Sequence, residues 1–296
     1  MRYISLFCGG LNDAYERHTI FYVVASVLNR MDGYLMGTST SLGMPAPLCD
    51  CQYCDEIERR RPSLVVKKNK KTLLFDVSPD FREQTAIGNV TSIDSVFVTH
   101  RHHDHSTGLM DLYHTTRRPD LGSMPEKKEV FFDGYFNNGF DLYYSPITHE
   151  YLHEEIAYIL DYDEIKINHI EDSDTVDIGE LSVTSFISEH SQGYLGFIIE
   201  DQDKDETLVY NPDHGTLRTD VEFDDVDVLV ADGGPLLGYK IHGVPNDAIE
   251  FMDTVGAETV YLTNVSEHTA QESTSVLRDR ANEYDANIVS DGMQII

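Results

Sequence analysis

Positive charge is scarce in this chain. Its 296 residues include 22 Lys or Arg against 52 Asp or Glu, for a formal net charge of −30. A broad basic face tracking a phosphate backbone is therefore disfavoured, and nucleic acid with it as a partner. The one basic cluster, Arg59-Arg60-Arg61 with Lys67, Lys68, Lys70 and Lys71, reads as a solvated edge. Long apolar runs are missing too: none approaches the roughly 20 residues needed to span a bilayer. The stretch 20–28 is apolar but short, and Asp13 and Glu16 precede it, which makes a poor signal peptide. Cysteines are few, four in all with three of them clustered, a pattern that argues for metal rather than disulfides. What the chain has in excess is acid, more Asp than Glu and spread along its length. Halophiles use that lever to stay soluble in concentrated salt, at the cost of self-repulsion in dilute buffer. A salt-adapted, cytoplasmic protein is the expectation.

The chemistry concentrates at 98–105, where His100, His102, Asp104 and His105 form the pattern His-x-His-x-Asp-His. Residues 95–99 before it are β-branched or aromatic and read as a buried strand; residues 106–113 after it read as a helix start. Four borderline ligands within six residues, held by a stiff strand end, suit zinc, manganese or iron. A second cluster, Cys49, Cys51 and Cys54, supplies three thiolates in a turn, one ligand short of a closed tetrahedral zinc site.

Elsewhere, residues 64–77 read as a hairpin around a basic turn at 67–71. Ser78 and Pro79 look like the N-cap and first position of a helix. Residues 114–165 are irregular and aromatic, with one strand at 130–133 and a helix near 150–160 carrying His149 and His153 on a solvated face. The aromatics Phe131, Phe132, Tyr135, Phe136, Phe140, Tyr143 and Tyr144 read as either substrate wall or dimer surface. Strands are expected at 181–187, 195–199, 207–210, 226–231 and 259–263, and helices at 246–255 and 270–284. Strands in both halves with helices interspersed predict an α/β or α+β fold of packed sheets.

The His100–His105 motif resembles the signature of the metallo-β-lactamase superfamily of metal-dependent hydrolases, and the resemblance runs over residues 33–296 as one domain. Residues 1–32 do not fit it and form an extension. The Cys49/Cys51/Cys54 turn further resembles the subgroup of phosphoribosyl 1,2-cyclic phosphate phosphodiesterases (PhnP) and, more distantly, the PqqB proteins. The resemblance implies a four-layer αββα sandwich. It implies two divalent metals, zinc or manganese, at the active site: one on His100, His102 and His190, the other on Asp104 and His105, with Asp213 bridging. The position of a further second-metal ligand, usually histidine, is Asn264 here, a weak donor. His214, after Asp213, is a spare ligand or a surface residue. A histidine near the C-terminus completes the structural zinc in the subgroup; His268 is the candidate, one residue further from the motif than in relatives. His242, shortly before a helix near Pro245, sits where relatives place an imidazole that contacts substrate phosphate.

These resemblances predict an enzyme: a hydrolase of small, cyclic or linear phosphodiesters, with Asp104 orienting the attacking water and His242 assisting the leaving group. Homodimers are common among relatives. Two other readings stay open: a thioester, lactone or RNA-processing hydrolase on the same fold, and a non-catalytic, PqqB-like binding protein whose second metal site Asn264 has weakened.

Overall fold

The structure is a computed structural model and describes residues 30–116, 139–213, 215–239 and 243–296. Residues 1–29 of the leader, the strand expected at 130–133, Phe131, Phe132, Tyr135 and Phe136, His214 and His242 lie outside the described residues, while Asp32 already belongs to the first strand.

Fifteen strands among the described residues make two sheets. The first holds β1 (Asp32–Gly37), β2 (Ser63–Lys68), β3 (Lys71–Phe75), β4 (Ser95–Phe97), β5 (Phe140–Tyr144) and β6 (Ile165–His169), in that order, with β15 (Met293–Gln294) outside β1. The second holds β7 (Thr175–Ile178), β8 (Leu181–Glu189), β9 (Leu195–Asp201), β10 (Glu206–Asn211), β11 (Thr216–Leu217), β12 (Val228–Asp232), β13 (Thr259–Thr263) and β14 (Ala286–Ile288). Its order is β11-β8-β9-β10-β12-β13-β14, with β7 also paired to β8.

Strands β3 to β6 run parallel, as do β10, β12, β13 and β14. Parallel neighbours need crossovers. The β10-to-β12 connection runs through β11 and loop; helices supply the others. In the first half these are α2 (Phe81–Ile87), α4 (Leu109–Thr116) and α5 (Pro146–Leu160); in the second, α7 (Pro245–Val255) and α9 (Thr274–Asn282). The short α1 (Gln52–Glu56), α3 (His103–Ser106), α6 (Gly234–Leu237) and α8 (Glu267–Ala270) punctuate loops.

Three apolar clusters show the layering. Between the sheets lie Leu35, Phe75, Phe97, Phe197, Leu208 and Tyr210. Phe75 stacks on Phe97 at 5.0 Å and Phe97 on Tyr143 at 4.6 Å, a cross-strand aromatic ladder through β3, β4 and β5. Outside the first sheet, Leu112, Leu152 and Ile156 bring α4 and α5 onto Val96 and Leu142. Outside the second, Phe251 and Leu277 bring α7 and α9 onto Leu229 and Leu262. Strands covered on both faces carry continuous apolar runs rather than alternation, which is why β10 and β12 are buried throughout. The architecture is the expected four-layer αββα sandwich.

Several local expectations are revised. The basic cluster is not simply a solvated edge: Lys68 is fully buried with Asp201 as its partner, and Arg59 is buried against Glu267 at 2.9 Å. Charges inside a fold require partners, and these have them. Ser78 is not the cap of α2; Asp80 holds that place, while Ser78 Oγ accepts from Asp80 N–H and donates to Gln84. Phe140, Tyr143 and Tyr144 form neither wall nor dimer surface but the buried strand β5. Helix α5 begins at Pro146 with Ser145 as its cap, earlier than the pattern suggested. His153 is exposed on it, and His149 turns inward to the Tyr144 hydroxyl at 3.0 Å.

Candidate metal centre

The parallel strands deliver the site. Asp76 follows β3, His100 follows β4, Asp213 follows β10 and Asn264 follows β13, so four C-terminal strand ends converge. Crevices there are where open α/β sheets bind ligands. His190 arrives at the end of β8. For Asp213 to meet it, the chain after β10 must cross the β8 end closely: a Cβ on Gly215 would lie 2.1 Å from the Glu189 carbonyl, so only glycine fits.

One oxygen is the hub. Asp213 Oδ2 lies 3.4 Å from His100 Nε2, 3.3 Å from His105 Nε2 and 3.3 Å from His190 Nε2. His190 Nε2 is 3.3 Å from His102 Nδ1, and ligand atoms of His100, His102, His190 and Asp213 all fall within 4.8 Å of one another. On the other side, Asp104 Oδ2 is 3.4 Å from His105 Nε2. Two half-sites thus share Asp213.

The surroundings fix which ring nitrogens are free. His105 Nδ1 donates to Asp76 Oδ2 at 2.7 Å. Thr99 Oγ1 donates to Asp76 and so accepts from His100 Nδ1 at 2.9 Å. Both rings therefore turn Nε2 inward, and both Nε2 atoms are buried without a hydrogen-bond partner. Imidazole lone pairs facing a carboxylate oxygen repel unless a cation sits among them. Burial disfavours charge on His105, but Asp213, Asp76 and Asp104 outweigh it and hold the imidazolium well above the ordinary histidine range. Burial and repulsion from His105 push His100 well below it. Burial would raise Asp213, yet His105, His100 and His190 hold it well below the usual carboxylate range. The donor set and its orphaned nitrogens fit divalent cations.

Asn264 donates both amide hydrogens, to Asp213 Oδ1 at 2.8 Å and to Pro212 O at 2.9 Å. It orients Asp213, and only its Oδ1 remains as a metal donor. Tyr194, buried beside His100, places its hydroxyl 3.2 Å from Asp213 N–H. Sequence reasoning missed Asp76, Thr99, Tyr194 and Tyr210, whose hydroxyl donates to Asp76 at 3.2 Å. An aspartate ending the apolar run Leu73-Leu74-Phe75 was the available signal.

The second cluster forms as well. Cys49, Cys51, Cys54 and His268 bring four ligand atoms within 4.8 Å, with His268 Nδ1 3.3 Å from Cys49 Sγ and 3.5 Å from Cys51 Sγ. The contact with His268 holds the Cys51 thiol down to about 6, whereas burial pushes Cys54 up to about 11. An N/S set of four suits a closed zinc site. Asn264, four residues before His268, takes a left-handed turn, φ 54°.

A cavity of about 810 Å³ opens beside His190, lined by Ile147, Glu171, Asp172, Gln192, Tyr194 and Leu195 among others.

Residues 71–264 match the model of the β-lactamase superfamily domain, and the chain belongs to that family of metal-dependent hydrolases. Among curated proteins it is 40% identical over 83 residues to an octanoyltransferase of Porphyromonas gingivalis, covering 26% of this chain and 17% of that protein. It is 28% identical over 154 residues to ribonuclease Z of Pyrococcus horikoshii, covering 50% of this chain and 44% of the relative. The matches therefore span less than half the length of these relatives. Among solved structures, a diphosphatase of the PhnP family superposes with a TM-score of 0.67 at 20% identity, over 90% of this chain and 98% of that one. Zinc-bound PqqB of Methylobacterium extorquens gives 0.69 at 16% identity, over 90% and 99%. Among the described residues, no helix is long and apolar enough to cross a membrane.

Proposed function

We propose that the chain hydrolyses a small phosphodiester at this centre. The observation that carries the reading is Asp213 Oδ2 set among three imidazole nitrogens at 3.3–3.4 Å, with Asp104 flanking. His100, His102 and His190 would hold one cation, zinc or manganese, and Asp104 and His105 the other, with Asp213 serving both and Asn264 at most a weak donor. Bound there, the cations supply Lewis acidity and a water acidified toward roughly pH 7. Asp104 would orient that water by accepting a hydrogen bond from it. Asp76 keeps His105 in its ligating tautomer, as carboxylates behind metal-bound histidines do. His242 donates a proton to the departing alkoxide. Cys49, Cys51, Cys54 and His268 hold a structural zinc that ties the early turn to the C-terminal one. The diphosphatase of the PhnP family, similar in fold, acts on a phosphorus–oxygen bond, which is in keeping with a phosphorus substrate.

Similarity to ribonuclease Z over half the chain favours RNA processing as a second reading. The test is metal analysis of protein purified in high salt without chelator, then assay of a cyclic phosphodiester beside a short RNA. About three metals per chain are expected, one closed site plus a dinuclear centre, with diester turnover abolished by Asp104→Ala. Turnover of RNA alone would establish the second reading. A single zinc and no turnover would leave a PqqB-like binding protein.

A further inference from the structure

We propose that Arg101 is the anion anchor of this centre: its guanidinium grips the phosphate of the substrate and commits the site to anionic esters rather than neutral lactones or thioesters. The inference rests on the hydrolase reading above and narrows its substrate class.

Position comes first. Arg101 stands between the ligands His100 and His102, and Ser106 Oγ donates to its carbonyl at 3.0 Å, so its backbone is fixed to the metal loop. The side chain is exposed but not loose. Its Cζ lies 3.7 Å over the ring of Tyr151 on α5. The Tyr151 hydroxyl in turn donates to Gln192 Oε1 at 3.1 Å. Gln192 and His190 line the same cavity of about 810 Å³. Through Tyr151 and Gln192, Arg101 is thus tied to the edge of the cavity that His190 also lines.

Charge comes second. The protein has 52 acidic residues, and most of its described arginines are paired with one. Of the nine arginines among the described residues, Arg30, Arg59, Arg60, Arg61, Arg218 and Arg280 each hold one; Arg82, Arg101 and Arg278 do not, and of these three only Arg101 is flanked by the site histidines in sequence. Among the described residues no carboxylate pairs with Arg101. Stacking engages the guanidinium's π face and leaves its N–H donors free in the ring plane, where they match two phosphate oxygens at once. Lysine in the same place offers a point charge without that fork. A neutral ester would leave this cation idle beside a doubly charged metal pair. Glu171 and Asp172 line the same cavity, which favours a substrate with one anionic group over a polyanion.

The test uses the full-length, metal-loaded protein and its Arg101→Gln, Arg101→Lys and Tyr151→Leu variants. Hydrolysis of bis(p-nitrophenyl) phosphate is followed at steady state, and inorganic phosphate binding by calorimetry. Loss of a charge-assisted contact predicts KM and phosphate Kd about tenfold higher in Arg101→Gln, with a much smaller change in kcat. Arg101→Lys recovers part of the loss, and Tyr151→Leu falls between wild type and Arg101→Gln. Unchanged KM and Kd in Arg101→Gln, with the wild type active, would overturn the anchor and leave the hydrolase reading standing. If the wild type turns over no diester but Arg101→Gln still weakens phosphate, the anchor stands and the hydrolase reading fails. No phosphate binding by the wild type overturns the anchor outright.

Discussion

Asp76 is fully buried and serves four hydrogen bonds: Thr99 N–H and Oγ1, His105 Nδ1 and the Tyr210 hydroxyl. It touches no substrate, yet it decides which nitrogen of His105 faces Asp213 and, through Thr99, which nitrogen of His100 does. Removing such an orienting carboxylate lowers metal affinity by about 10–100-fold in comparable sites. Asp76→Ala is therefore expected to weaken metal binding by that order, read by competition with a zinc chelator dye, while the cysteine site keeps its metal. Equal loss at both sites would show a folding defect rather than a tautomer effect. At this scale the candidate ligands were legible in the sequence because metal chemistry restricts the residue types: His100, His102, Asp104 and His105 fall within six positions. Asp76 and Tyr210 did not, because a carboxylate or a phenol behind a ligand has no spacing rule. Their roles arise only when β3, β4 and β10 lie side by side.

Among the elements, the tie between the cysteine turn and α8 is reinforced by a second, buried one. Arg59, five residues after Cys54, donates to both Glu267 oxygens, to Thr38 Oγ1 and to the Val289 carbonyl. Glu267 precedes His268, so the pair anchors the turn that carries the candidate fourth ligand. Breaking a buried pair leaves an uncompensated charge and costs about 3–5 kcal/mol. Arg59→Met is expected to lose that much in urea unfolding and to release the cysteine-site zinc faster to chelator. The same pair carries a pH signature. Burial would raise Glu267, but its hydrogen bond and charge contact with Arg59 hold it below its ordinary 4.5. A depressed folded value contributes stability that is present above the unfolded value and lost as pH falls through the folded one. The unfolding midpoint should therefore drop below pH 4.5, less steeply in Glu267→Gln; parallel profiles would exclude this pair as the cause. The basic cluster misled the sequence reading for a physical reason. Composition says that Arg59 and Lys68 are charged, not that Glu267 and Asp201, 208 and 133 residues away, will meet them in the interior. Strand β5 was missed similarly: its aromatics are core against Phe97, and only the sheet order reveals it. The αββα layering was legible through the family motif; strand periodicity alone reached no further than α/β or α+β.

Across the whole molecule, electrostatics oppose folding. The formal charge is −30, and much of it has no partner nearby. Asp220, Glu222, Asp224 and Asp225 are exposed along one connection, and among the described residues no lysine or arginine pairs with them. Exposed carboxylates a few ångströms apart repel through water, and salt removes that repulsion: the screening length falls from about 10 Å at 0.1 M to about 3 Å at 1 M. The buried pairs Lys68–Asp201 and Arg59–Glu267 are shielded from the same salt and lose little. The balance runs one way, so added salt should stabilise the fold rather than weaken it. The thermal midpoint is expected to climb as KCl rises from about 0.1 M toward molar concentrations, with NaCl giving the same curve because screening depends on ionic strength and not on ion identity. A midpoint independent of salt would mean that the acidic surface is already relaxed and would sink the salt-adaptation reading. A rise with KCl but not NaCl would replace screening with specific cation binding. The measurement is best made with metal present at saturation, since cation loss from the two clusters would lower the midpoint for an unrelated reason.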